Sequence, residues 1–102
     1  MYKIISPVEA KKIMDSETDI AIIDVREEDE LYEGYIENSI LVPLDRVESE
    51  IEDKVSDKNK KILVYCRSGK RSAVACNIMD SMGYKNIYDF GGIIDWPFEK
   101  IL

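Results

Sequence analysis

Cys66 closes an apolar run, Ile62-Leu63-Val64-Tyr65, and opens the segment Cys66-Arg67-Ser68-Gly69-Lys70-Arg71-Ser72. A thiol followed at once by three cations and a glycine suggests an activated nucleophile. The run before it has the pattern of a buried strand, and Ser72 to Met82 has that of a helix. Cys66 would then point into a tight loop at a helix N-terminus. Helix dipole, nearby cations and converging N–H groups each favour thiolate over thiol. Gly69 would let the loop curl so that successive N–H groups from Arg67 onward face one point. Ser72 is expected to cap the helix or to add one more donor. The chain contains no histidine, which removes Cys–His catalysis and argues against zinc.

Charge sharpens the picture. The 102 residues carry a net charge of −7, which disfavours nucleic acid and anionic membranes as partners. Between Lys54 and Arg71, however, seven basic residues face one acid. Lys58, Lys60 and Lys61 read as a solvated turn before a strand. Arg67, Lys70 and Arg71 flank the cysteine and form a cationic mouth suited to a small anion. No apolar run approaches the ~18 residues that a membrane span needs. Met1 to Pro7 lacks the apolar core of a secretory leader. Cys66 and Cys76 stand ten positions apart, too far along a helix to pair, and Cys76 reads as plain core. A reduced, cytoplasmic protein is expected.

The elements that must position the loop follow from apolar spacing. Strands are expected at Tyr2–Ile5, Ile20–Val25, Ser39–Val42, Ile62–Tyr65 and Ile87–Phe90. Ser6, Pro7 and Glu9 form a helix start with a capping box. Glu27 to Glu33 reads as a short acidic helix stopped by Gly34. Leu44, Val47, Ile51 and Val55 mark one face of an amphipathic helix. Gly83 stops the helix after the loop, and Gly91-Gly92 opens a last turn or helix containing Trp96. Strand and helix alternate along one domain, 1–102. That is an α/β fold with a mostly parallel five-stranded sheet and helices on both faces. Ligands of such sheets bind beyond the strands' carboxyl ends, where Cys66 falls.

Cys66 to Ser72 resembles the active-site loop of the rhodanese-like sulfurtransferases. Three further segments are similar to that family in the same order: Asp24-Val25-Arg26-Glu27, then Glu30 with Gly34-Tyr35-Ile36 through Ile40 and Pro43, then Gly91-Gly92-Ile93 with Trp96. The resemblance implies a rhodanese-like fold and a Cys66 persulfide. A small anionic sulfur donor such as thiosulfate loads it, and cyanide or a thiol acceptor unloads it. Arg67, Ser68, Gly69, Lys70, Arg71 and Ser72 would bind the donor. Asp24 and Arg26 would support the loop, with an Arg26–Glu30 ion pair expected, or hold the end of the second strand. No cofactor and no metal are implied. Tyr35 stands where the family has histidine, and the position is expected to be structural.

Two other readings compete. Phosphatases and arsenate reductases of the same fold use Cys-x5-Arg, whereas Arg71 is the fifth residue after Cys66, giving Cys-x4-Arg. The shorter loop suits a sulfur atom better than a phosphoryl group. A sulfur carrier or protein-interaction module with incidental turnover would share the same cysteine and loop.

Overall fold

The computed structural model describes residues Met1 to Leu102. Five strands form one parallel sheet: β1 (Lys3–Ile4), β2 (Ile20–Asp24), β3 (Ser39–Leu41), β4 (Lys61–Cys66) and β5 (Asn86–Gly92). Their spatial order is β1-β5-β4-β2-β3. The chain first moves from β1 across to β2 and β3, then returns through β4 to β5. Helix α1 (Pro7–Ser16) covers one face, and α2 (Val47–Lys54) and α3 (Lys70–Ser81) cover the other. Opposite directions of travel with helices on opposite faces keep the crossovers right-handed.

Local chemistry explains the elements. The Ser6 hydroxyl accepts from the Glu9 N–H at 3.1 Å, and the Glu9 carboxylate accepts from the Ser6 N–H at 3.0 Å. With Pro7 at the first helical position, this capping box starts α1. Alternation along β2 and β4 divides the core. Ala21, Ile23, Ile62, Val64 and Cys66 pack with Val47, Ile51, Ala75 and Met79 under α2 and α3. Ile22, Leu63 and Tyr65 pack with Ala10, Phe90 and Trp96 under α1. Burial on both faces accounts for the near-continuous apolar runs. No helix is long and apolar enough to cross a membrane.

Several boundaries differ from the sequence expectation, most consequentially at the cysteine loop. The acidic Glu28–Glu33 segment is a 3-10 turn, and so is Leu44–Arg46 before α2. Helix α3 begins at Lys70, not Ser72, with Gly69 as its N-cap at φ 104°. Ser72 therefore lies inside the first turn and does not cap the helix. Strand β5 runs on through Gly91 and Gly92. Its register with β4 slips there: Val64 pairs with Asp89 but Cys66 pairs with Gly92. One extra β5 residue is accommodated, a bulge with Gly91 at φ 88°.

Candidate active site

Cys66 is the last residue of β4, and its side chain points to the α3 face of the sheet. It is 1% exposed, so its sulfur lies at the floor of the loop. Sγ accepts hydrogen bonds from the N–H of Gly69 at 3.0 Å and of Ser72 at 3.4 Å. The left-handed backbone of Gly69 turns the chain back over the sulfur. Lys70 and Arg71 occupy the first turn of α3, where N–H groups have no intrahelical acceptor. The arrangement suits negative charge on the sulfur or on an atom bonded to it.

A second layer fixes the loop. The Ser72 hydroxyl donates to Asp89 Oδ1 at 2.9 Å and lies 3.0 Å from the Gly69 carbonyl oxygen. Asp89 Oδ1 also accepts from the Gly91 N–H at 2.9 Å, tying the loop to the β5 bulge. Gly92 packs directly beneath the loop. A Cβ there would fall 2.2 Å from the Arg67 carbonyl oxygen and 2.6 Å from Ser68 Cα, so only glycine fits. The Ile94 N–H donates to the Arg67 carbonyl at 3.2 Å. Sequence reasoning missed Asp89 and the close approach of Gly92. An acid inside the apolar stretch Ile87-Tyr88-Asp89-Phe90 was the available signal.

The cations do not act as one group. Arg67 and Lys70 are exposed and form no salt bridge. Arg71 is bound in a fork by Glu30, Nη1 to Oε1 at 2.6 Å and Nη2 to Oε2 at 2.8 Å. The Arg71 hydrogen bonds hold the Glu30 carboxyl down to about 2. The expected Arg26–Glu30 ion pair is absent. Arg26 instead pairs with Asp24, Nη2 to Oδ2 at 2.8 Å and Nε to Oδ1 at 3.0 Å. Both residues are buried, and positions two apart at a strand end share one face, which brings the two side chains together. Asp24, like Tyr65, lies on the α1 face, across the sheet from Cys66. Arg26 hydrogen-bonds to the segment that carries Glu30, donating to the carbonyls of Gly34 at 3.0 Å and Glu30 at 3.3 Å.

Tyr65 adjoins Cys66 in sequence but faces the other way. Its hydroxyl accepts from the Ile36 N–H at 3.2 Å and lies 3.1 Å from Ser39 Oγ. Burial, reinforced by the Asp24 charge, pushes it up to about 12. Tyr35 contributes through its backbone, whose N–H and C=O pair with the C=O and N–H of Ile101 at 2.9 and 2.8 Å. A groove of about 910 Å³ lies elsewhere, beside Met14, Ile20, Trp96 and Phe98, and touches no residue of the cysteine loop.

Residues 6–97 match the rhodanese-like domain. The chain belongs to that family. The rhodanese-like relatives include the putative sulfurtransferase YtwF of Bacillus subtilis strain 168. It is 32% identical over 97 residues, spanning 95% of this chain and 92% of its own length. The thiosulfate sulfurtransferase PspE of Escherichia coli K12 is 34% identical over 79 residues, 78% of this chain and 76% of its own. A rhodanese-related protein from Thermoplasma volcanium has the same fold, with a TM-score of 0.84 at 29% identity over 99% of both chains.

Proposed function

We propose that this rhodanese-like protein is a sulfurtransferase that carries sulfane sulfur on Cys66. The observation that carries the reading is the pair of N–H donors on Cys66 Sγ, from Gly69 and Ser72. The sulfur of Cys66 attacks the outer sulfur of thiosulfate. The sulfur–sulfur bond of the donor breaks, and sulfite leaves with the electron pair. An acceptor, cyanide or a thiolate, then attacks the outer sulfur of the Cys66 persulfide. That bond breaks and its electrons return to Cys66 as thiolate. No external oxidant or reductant is consumed, and two half-reactions predict ping-pong kinetics.

The chain's own residues have separable roles in this scheme. The N–H groups of Gly69 and Ser72 hold the sulfur anion, and Asp89 holds Ser72. Arg67 and Lys70 are free cations at the mouth and attract the anionic donor, while Ser68 lines the exposed part of the loop. Arg71 orders the loop through Glu30, and Arg26 with Asp24 braces the segment that presents Glu30. Engagement of Arg71 by Glu30 occupies the guanidinium at the end of the loop that would otherwise embrace a phosphoryl group, which favours sulfur over phosphate. Thiosulfate:cyanide turnover tests the reading. Wild-type protein is expected to turn over thiosulfate and to leave p-nitrophenyl phosphate untouched. Phosphate release without sulfurtransfer would reverse the assignment.

A further inference from the structure

A small cleft of about 130 Å³ opens beside the cysteine loop, lined by Arg26, Glu33, Arg67, Ile93, Ile94 and Lys100. It adjoins the loop at Arg67, the residue after Cys66, whose carbonyl accepts from the Ile94 N–H at 3.2 Å. Lys100 comes from the C-terminal segment, 33 positions after Arg67. Its backbone is anchored on both sides. Ile101 pairs twice with Tyr35, and the Trp96 Nε1–H donates to the Glu99 carbonyl at 3.3 Å. The backbone thus fixes where Lys100 stands beside the cleft, and neither its side chain nor that of Arg67 forms a salt bridge. Arg26 is neutralised by Asp24 at 2.8 Å. Against Arg67 and Lys100 stands the single carboxylate of Glu33, so the cleft keeps one uncompensated positive charge.

We infer that this cleft is an anion subsite in which Lys100, with Arg67, holds the oxyanion end of the compound whose sulfur reacts at Cys66. The inference rests on the sulfurtransferase reading and adds a specificity-determining residue from outside the cysteine loop. The ligand group is a sulfonate or carboxylate: flat or tetrahedral, singly charged at the subsite, and attached within a few bonds to the reacting sulfur. Ile93 and Ile94 give the cleft an apolar side that lowers local screening and strengthens the contact. The sulfonate end of thiosulfate and the carboxylate of an acidic thiol present the same chemistry, and kinetics separate them.

The experiment compares wild type, Lys100→Glu, Lys100→Arg and Lys85→Glu. Lys85 is exposed beside the opposite end of β5 and undergoes the same charge reversal. For a donor sulfonate, Lys100→Glu raises the KM for thiosulfate about tenfold, with a smaller change in kcat. For an acceptor carboxylate, wild type prefers 3-mercaptopropionate to neutral 2-mercaptoethanol, and Lys100→Glu erases that preference. In either case Lys100→Arg restores most of the effect, Lys85→Glu matches wild type, and added salt narrows the difference between the Lys100 variants. The inference is overturned if Lys100→Glu leaves both the thiosulfate KM and the thiol preference as in wild type. Wild type that forms no Cys66 persulfide would instead refute the underlying sulfurtransferase reading.

Discussion

The two cysteines, ten residues apart, are buried to the same degree, Cys66 at 1% and Cys76 at 0%, yet their surroundings are opposite. Cys76 lies in α3 against the apolar cluster that includes Ala75 and Met79. Burial pushes its thiol up, with the negative charge of Asp89 adding to the effect. Cys66 has two backbone donors on its sulfur and a helix N-terminus above it. The difference teaches that burial alone yields an inert thiol. What separates a candidate nucleophile from core packing is a loop that exchanges water for fixed N–H groups.

The largest expected effect breaks the comparison at its first member. Cys66→Ser is expected to lower sulfurtransfer by at least about a thousandfold, while the thermal transition stays near that of wild type. Turnover assay and melting curve check the two halves. Gly92→Ala attacks the same sulfur indirectly. Its Cβ has no room against Arg67 and Ser68, so the loop must shift. A displacement of this kind costs about a hundredfold in kcat/KM, read against an intact circular dichroism spectrum.

Away from the sulfur the effects move from activity to stability. Arg26→Ala strands the buried Asp24 carboxylate and is expected to cost about 3–5 kcal/mol in urea unfolding. Cys76→Ala removes one buried sulfur and should cost only ~1 kcal/mol with sulfurtransfer retained. Loss of activity in Cys76→Ala would erase the distinction between the two thiols. Smallest is the acid response. Glu30 is held at about 2 by Arg71, below its unfolded value of about 4.3. Its contribution is complete above the unfolded value and declines as pH falls toward the folded one. Glu30→Gln should flatten that part of the stability–pH curve, measured by urea unfolding across the acid range.

Much of the fold was legible because local rules agree with the global answer. Ser6, Pro7 and Glu9 announce α1, and the apolar runs at Ile20 and Ile62 announce strands covered on both faces. The start of α3 was hidden for a physical reason. Lys70 and Arg71 put positive charge in a helix's first turn, where the dipole disfavours it, so Ser72 looked like the first residue able to begin the helix. Glu30 offsets Arg71 from 41 positions away, a pairing no local pattern contains. That same pairing explains why the expected partner of Arg26 was wrong. Strand alternation gives Arg26 to Asp24, and the loop's arginine takes Glu30. The bulge at Gly91 was equally hidden, since it is defined by register with β4 rather than by its own sequence.

Intact-mass spectrometry of the protein after exposure to thiosulfate tests the central claim most directly. The account predicts that wild type and Cys76→Ala gain the mass of one sulfur atom, that Cys66→Ser gains none, and that cyanide removes the addition. A sulfur adduct that persists in Cys66→Ser, or that maps to Cys76, would contradict it.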